Sequence, residues 1–168
     1  GLVTSAFVYQ TVSPFDTVDE YFQKLADLER FNGVVMVEDG EGNTFHQAYN
    51  MKSGPESMRV DTNSQFVIAS VSKTFFKAAL IQLDQFGKID LDAPLQKYLP
   101  QFPYANVSVR QVKDHYAGLP RELSVGKEPS TLSAYVKLIC EEELIAEPGI
   151  KYHYSNLGYI LIYHMLEK

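Results

Sequence analysis

Residues 66–83, FVIASVSKTFFKAALIQL, begin as an apolar run typical of an extended segment and continue with apolar residues at helical spacing. Ser70 and Lys73 stand at this change, three positions apart. The pair has two interpretations. It is either a nucleophile with its base, or the first turn of an ordinary helix, in which the serine is the N-cap and the lysine extends its amine to solvent.

The surroundings of this pair distinguish it from a second Ser-x-x-Lys match, Ser124–Lys127, which lies in a loop between Gly and Pro residues. A helix is predicted to begin at Ser70, where the helix dipole and unpaired backbone N–H groups favour a developing negative charge. Lys73 shares a helix face with Ser70, so its amine is within reach of the hydroxyl. These features single out Ser70–Lys73 over Ser124–Lys127, which we treat as a chance match, but the pair taken alone still favours the ordinary helical turn.

The remaining pattern predicts an α+β chain in which one β-hairpin is followed by helices and loops. Thr17 and Glu20 have capping-box spacing at the start of the first helix. A two-stranded sheet is marginal by itself, so we expect the sheet to be incomplete. The predicted strands span 33–38 and 43–49, and the predicted helices span 17–31, 71–86, 108–116, 130–146 and 156–168. The helix after Ser70 is predicted to bury Val71, Phe75, Phe76, Ala79, Leu80 and Leu83.

Composition excludes several classes of function. The 168 residues are enough for one domain with a sizeable core, and the net charge of −6 argues against nucleic-acid binding, which needs a basic face. No stretch is long and apolar enough for a membrane span, and the first 15 residues do not resemble a signal peptide. Cys140 has no partner for an internal disulfide, and the four histidines lack metal-ligand spacing, so we expect no cofactor or metal. The three glutamates at 141–143 are predicted to be a solvated helix end.

Tyr154 and Asn156 form a second candidate group near the C-terminal helix. Residues two apart in an extended loop point to the same side, and a phenol beside a lysine can relay a proton while a carboxamide can bind a substrate amide. The alternative is that Ser155 or Asn156 simply caps the last helix.

Taken together and in this order, several stretches resemble the serine β-lactamase and penicillin-binding protein superfamily. The resemblance is strongest to the branch of class C β-lactamases, D-alanyl-D-alanine carboxypeptidases and related esterases, and it covers nearly all of residues 16–168. Five stretches carry it: GVVMVEDGEGNTFHQAYN, DTNSQFVIAS with the helix that follows, KIDLDAPLQKYLP, VKDHYAGLP and EPGIKYHYSNLGYILIYHMLEK. The resemblance implies the N-terminal part of a β-lactamase/transpeptidase-like fold, mostly helical with an incomplete antiparallel sheet.

The same resemblance implies a role for each candidate residue. Ser70 would be the acylated nucleophile, Lys73 would activate it or tune its partner, and Tyr154 would be the general acid/base. Asn156 would contact the amide of the substrate. Lysine and tyrosine would titrate as a coupled pair, so the choice of base between them stays open.

One motif of the superfamily is missing, because no Lys-Thr-Gly or His-x-Gly strand follows Asn156. We therefore expect an N-terminal portion of a larger extracytoplasmic hydrolase, inactive or nearly so by itself, acting on a small-molecule or peptide acyl substrate. An uncovered hairpin edge predicts a homodimer through residues 33–50. Two alternatives stay open: a non-catalytic protein of this fold that binds peptide or peptidoglycan, and an interaction module without catalytic use of the site.

Overall fold

The computed structural model describes residues 18–168, which form two compact units that meet in the sequence between Val67 and Ile68. Thr17, the predicted cap of the first helix, lies outside the described residues. Among the described residues, the first unit contains one α-helix and the hairpin, and the second contains the remaining four α-helices. All four candidate site residues belong to the second unit.

The first unit consists of helix α1 (Val18–Asp27) and an antiparallel hairpin of β1 (Gly33–Glu38) and β2 (Thr44–Tyr49). The register runs from Gly33 opposite Tyr49 to Glu38 opposite Thr44. The first helix ends four residues before the predicted boundary of 31, because Glu29 takes a left-handed conformation with φ 58°. One 3₁₀ turn, Glu56–Met58, follows the hairpin.

Side chains at the turn explain where the second strand begins. The Asp39 carboxylate accepts the backbone N–H groups of Glu41 and Asn43 at 2.9 and 2.8 Å. Because Asn43 is bound in the turn, β2 begins at Thr44, one residue later than predicted. Met36 and Val37 are 62% and 43% exposed on β1, and a dimer through 33–50 stays a prediction.

The second unit contains helices α2 (Ser72–Gln85), α3 (Val109–Lys113), α4 (Leu132–Cys140) and α5 (Asn156–Leu166). Helix α5 contacts each of the other three, and its Leu157, Leu161 and Ile162 are fully buried. Two 3₁₀ turns, Ala69–Val71 and Leu95–Lys97, precede α2 and α3. The core of this unit therefore surrounds the helix that begins at the candidate residue Asn156.

The predicted burial of α2 is partly wrong. Leu80 is fully buried and Phe76 packs against the core, but Val71 and Phe75 are 60% and 68% exposed. Phe76 and Leu80 lie on the side of α2 that packs within its own unit, and Val71 and Phe75 lie outside that side. Ala79 and Leu83 are half-buried.

The caps of the other helices locate the turns that carry the site. Ser108 caps α3 with a complete capping box to Gln111, as the predicted start at 108 implies. The helix ends before the predicted 116, since His115 has φ 65°. Helix α4 is predicted to start at residue 130, but the residue that caps it is Thr131. Ser155 caps α5, with its Oγ accepting the N–H of Gly158 at 3.1 Å.

The predicted solvated helix end at 141–143 is wrong for Glu142, which is only 7% exposed. Its carboxylate accepts hydrogen bonds from Ser124 Oγ at 2.8 Å and Lys127 Nζ at 2.7 Å, and these contacts lower the pKa of Glu142. The second Ser-x-x-Lys match therefore binds a buried carboxylate and has a structural use.

Candidate active site

Ser70 lies in the 3₁₀ turn that leads into α2, and its hydroxyl contacts two candidate partners. Ser70 Oγ is 2.7 Å from the Tyr154 hydroxyl and accepts a hydrogen bond from Lys73 Nζ at 3.2 Å. Val71, in place of Ser70, occupies the N-cap position of α2, and no side-chain capping bond is present there. The N-cap interpretation of Ser70 is therefore wrong, and the hydroxyl is held by side chains instead.

Lys73 connects Ser70 to Asn156. Its ammonium donates to Asn156 Oδ1 at 2.8 Å as well as to Ser70 Oγ. The same nitrogen lies 5.0 Å from the ring centre of Tyr154 and 5.3 Å from that of Tyr159, positions where the electron-rich ring faces stabilise a cation. Lys73 is thus fixed by a network on both sides, unlike a lysine that extends freely to solvent.

The phenols of Tyr154 and Tyr159, whose rings both lie near Lys73 Nζ, differ in their acidity. The Lys73 ammonium, and after it the hydrogen bond with Ser70, lowers the pKa of the Tyr154 phenol below its usual value. Burial raises the pKa of Tyr159, whose hydroxyl donates to the carbonyl of Lys113 at 2.8 Å. Tyr154 is therefore the phenol that can exchange a proton with Ser70, whereas Tyr159 stays protonated.

The segment that presents Tyr154 is held by backbone hydrogen bonds to the turn after α3. The N–H groups of His153 and Asn156 donate to the carbonyls of His115 and Arg121 at 2.7 and 2.9 Å. Ser155 Oγ donates to the carbonyl of Pro120 at 2.6 Å. The turn at 115–121 thus serves as the support on which the Tyr154 segment lies.

The Asn156 carboxamide has two side-chain partners within the protein, and its expected contact with a substrate amide stays a prediction. Its side-chain oxygen accepts from Lys73, and its side-chain nitrogen donates to the carboxylate of Glu122. The carboxamide therefore bridges a cation and an anion, and one N–H of its NH₂ group stays available to a substrate. Sequence reasoning missed Glu122, because nothing in its surroundings, two residues after Pro120, marks a functional acid.

A pocket of about 450 Å³ opens beside Lys73, on the surface between α2 and α5. Its lining residues are mostly apolar: Ala69, Ser72, Lys73, Phe76, Asn156, Tyr159, Ile160 and Tyr163. Within residues 18–168, no three His, Cys, Asp or Glu side chains are grouped so that they could hold a metal ion. None of the helices described in that range is long and apolar enough to cross a membrane.

Comparison with known proteins places this arrangement in a family. The Beta-lactamase family model matches residues 18–168. Penicillin-binding protein 4* of Bacillus subtilis is 29% identical over 161 residues, which cover 88% of this chain and 34% of that protein. The chain thus spans about a third of the length of this relative.

Solved structures agree with the sequence match. FmtA from Staphylococcus aureus shows the same fold, with a TM-score of 0.74 and 24% identity over 89% of this chain and 40% of its own. D-amino acid amidase from Ochrobactrum anthropi has a TM-score of 0.67 and 26% identity over 90% of this chain and 46% of its own. With one family model matched along all of the described residues, the chain belongs to the β-lactamase family, a family of serine hydrolases.

Proposed function

We propose that this chain carries the nucleophile and the acid–base groups of a serine acyl-transfer hydrolase that forms an acyl-enzyme on Ser70. The observation that supports this most directly is the double contact of Ser70 Oγ, with the Tyr154 hydroxyl at 2.7 Å and Lys73 Nζ at 3.2 Å. A serine hydroxyl is a weak nucleophile unless a neighbouring group removes its proton, and two such groups lie here within hydrogen-bond reach. The chain spans less than half the length of these relatives, and the activity is proposed for the whole protein.

Acylation would begin with transfer of the Ser70 proton to Tyr154 in its phenolate form, the form that the Lys73 ammonium favours. Tyr154 is the favoured acceptor, because its pKa is lowered while Lys73 donates to Ser70 Oγ and Asn156 Oδ1. Oγ forms a bond to the substrate carbonyl carbon, and the bond from that carbon to the leaving nitrogen or oxygen breaks as the phenol returns the proton to the leaving group. Lys73 Nζ and the Tyr154 hydroxyl both contact Ser70 Oγ, so both belong to the acid–base unit.

Deacylation would use the same groups with water as the nucleophile. Water adds to the acyl carbon and gives its proton to the acid–base pair, and the bond to Ser70 Oγ breaks as that oxygen regains a proton. The backbone N–H of Ser70 lies at the start of a helical turn, where it can donate to the oxyanion. The Asn156 carboxamide is proposed to hold the substrate amide, and the apolar pocket beside Lys73 would accept an apolar part of the substrate.

A β-lactam, a D-alanyl-D-alanine peptide and a simple ester all fit this chemistry, because each presents an acyl carbon with a leaving group. The similarity to a penicillin-binding protein and to a D-amino acid amidase supports a lactam or amide substrate. An extracytoplasmic location is proposed on the same ground. That the 168 residues alone are inactive stays a prediction.

Labelling with a fluorescent penicillin tests this proposal, and the two Ser-x-x-Lys copies supply matched variants. In the full-length protein, Ser70→Ala is expected to abolish covalent labelling and to leave the melting temperature nearly unchanged, because Ser70 is exposed and makes no cap. Ser124→Ala is expected to retain labelling but lower the melting temperature by a few °C, because it removes the hydrogen bond from Ser124 Oγ to the buried Glu142 carboxylate.

Equal labelling of wild type and Ser70→Ala would contradict the proposal. A folded wild-type protein that neither labels nor hydrolyses esters, amides or lactams would support one of the alternatives instead, a protein of this fold that binds peptide without turnover or an interaction module.

A further inference from the structure

His115 contacts the segment around Tyr154 through its backbone carbonyl, a ring nitrogen and the face of its ring. It lies at the start of the turn after α3 with φ 65°, and its carbonyl and its ring both contact the same neighbouring segment. The carbonyl accepts the N–H of His153 at 2.7 Å, and ring Nδ1 accepts the N–H of Ser155 at 3.1 Å. These two N–H groups belong to the residues on either side of Tyr154, so one residue fixes the peptide before and after the phenol.

The ring of His115 also supports the phenol itself. It stacks on the Tyr154 ring, with centres 4.5 Å apart and planes 28° from parallel. The ring centres of Tyr152 and Tyr159 lie 5.6 and 5.3 Å from the centre of the same imidazole. The His115 ring therefore has little freedom to move. Stacked rings constrain each other laterally, and the Tyr154 hydroxyl must stay within hydrogen-bond distance of Ser70.

A ring nitrogen that accepts a backbone N–H must carry no proton, so this arrangement requires a neutral imidazole. His115 is 5% exposed, and burial, followed by the charges of Lys77 and Lys73 on α2, lowers its pKa, while the adjacent Asp114 acts weakly in the opposite direction. The other titratable groups around it are the phenols of Tyr152 and Tyr154 from the loop and of Tyr159 from α5, together with Arg121 across the Tyr154 ring. The ring is therefore neutral at pH 7.

Protonation of His115 would disrupt the segment for two reasons. A proton on Nδ1 would meet the Ser155 N–H and break that hydrogen bond, and the new cation would lie near Lys73 and Lys77. Folding lowers the pKa of His115. Its neutral form therefore stabilises the folded protein at pH values above the pKa of the unfolded state, and this stabilisation is lost as the pH falls through the pKa of the folded state.

We propose that His115 is a positioning residue for Tyr154, and that acylation of Ser70 requires its imidazole to be neutral. The expected effect on acylation rests on the proposed function, whereas the placement of Tyr154 by His115 does not. His115 touches neither Ser70 nor a substrate, so it acts through the placement of the phenol. A displacement of about 1 Å in a reacting group costs about 100-fold in rate.

Three variants of the full-length protein test the inference through the rate constant of acylation between pH 5 and 8. His115→Phe keeps a ring but removes the accepting nitrogen, and we expect acylation to fall by about 100-fold with little change in substrate affinity. His115→Asn keeps an acceptor and tolerates positive φ, so we expect a smaller loss at pH 7 and a changed acid limb of the pH profile. His153→Asn, the matched control, removes a neighbouring imidazole and should keep the wild-type profile.

A crystal structure of His115→Phe separates this inference from the proposed function. We expect the hydroxyls of Tyr154 and Ser70 to lie beyond hydrogen-bond distance in it. An unchanged 2.7 Å contact, wild-type acylation by His115→Phe, or an unaltered acid limb in His115→Asn would overturn the inference. Absence of acylation in the wild-type protein would contradict the proposed function instead, and the Tyr154 position in the variant would still decide the role of His115.

Discussion

Replacing Lys73 by methionine is expected to slow acylation of Ser70 by about 1,000-fold, within the range typical of a lost general acid–base group. Methionine retains most of the length of the side chain but removes the cation that contacts Ser70 Oγ and Asn156 Oδ1. The same change removes the largest influence that lowers the pKa of Tyr154. The phenol would then lose its proton only at higher pH, so the residual rate should rise toward alkaline pH.

The control for this variant is Lys77→Met, one helical turn further along α2. Lys77 Nζ lies 4.0 Å from the Asp114 carboxylate, its side chain is 39% exposed, and it contacts no reacting group of the proposed site. We expect acylation within a few-fold of wild type. Stopped-flow measurement of both variants, with circular dichroism to verify folding, gives the comparison. A Lys73→Met rate within 10-fold of wild type would remove Lys73 from the acid–base unit.

Gly118→Ala should have the largest effect on stability, because two separate costs meet at this position. Gly118 has φ 74°, a conformation that is strained for a residue with a side chain, and an added Cβ would lie 2.1 Å from the carbonyl oxygen of Ala146. The backbone would have to move, and we expect the free energy of unfolding to fall by about 3 kcal/mol or more. Activity should also fall, since the turn at 115–121 supports Tyr154.

Gly126→Ala separates the two costs. Gly126 has φ 88°, but nothing lies within 4 Å of the position of an added Cβ. In this variant the free energy of unfolding should therefore fall only by the cost of placing a side chain at positive φ, about 1 kcal/mol. The free energy of unfolding from denaturant titration measures both, and equal losses in the two variants would show that the close approach to Ala146 costs nothing.

The pattern of apolar residues predicted the hairpin and the site-bearing helices well, because these depend on local spacing and caps. β1 spans Gly33–Glu38 as predicted, and α5 begins at Asn156, after the capping Ser155. The exposure of Val71 and Phe75 could not be predicted, since helical spacing indicates which residues share a face but not whether another element covers that face.

The sequence predicted the four candidate residues and the contact between Lys73 and Ser70, but not the residues that support them. Ser70, Lys73, Tyr154 and Asn156 do come together. Glu122 and His115 were missed as partners, because each acts through the fold: one through the Asn156 carboxamide, the other through backbone N–H groups about 40 residues away in the sequence. Such contacts leave no spacing pattern. The same reasoning explains Glu142, which is buried by its contacts with Ser124 and Lys127 rather than solvated.

The central claim is that Ser70 becomes covalently acylated, and mass spectrometry after incubation with benzylpenicillin tests it most directly. Opening of the β-lactam ring expels no fragment, so the full-length protein should gain the mass of one whole penicillin. After trypsin digestion the added mass should lie on peptide 60–73, VDTNSQFVIASVSK, and fragmentation should place it on Ser70 rather than Ser64 or Ser72. An adduct on peptide 122–127, ELSVGK, or no adduct in a folded protein that also fails to react with an activated ester, would contradict the claim.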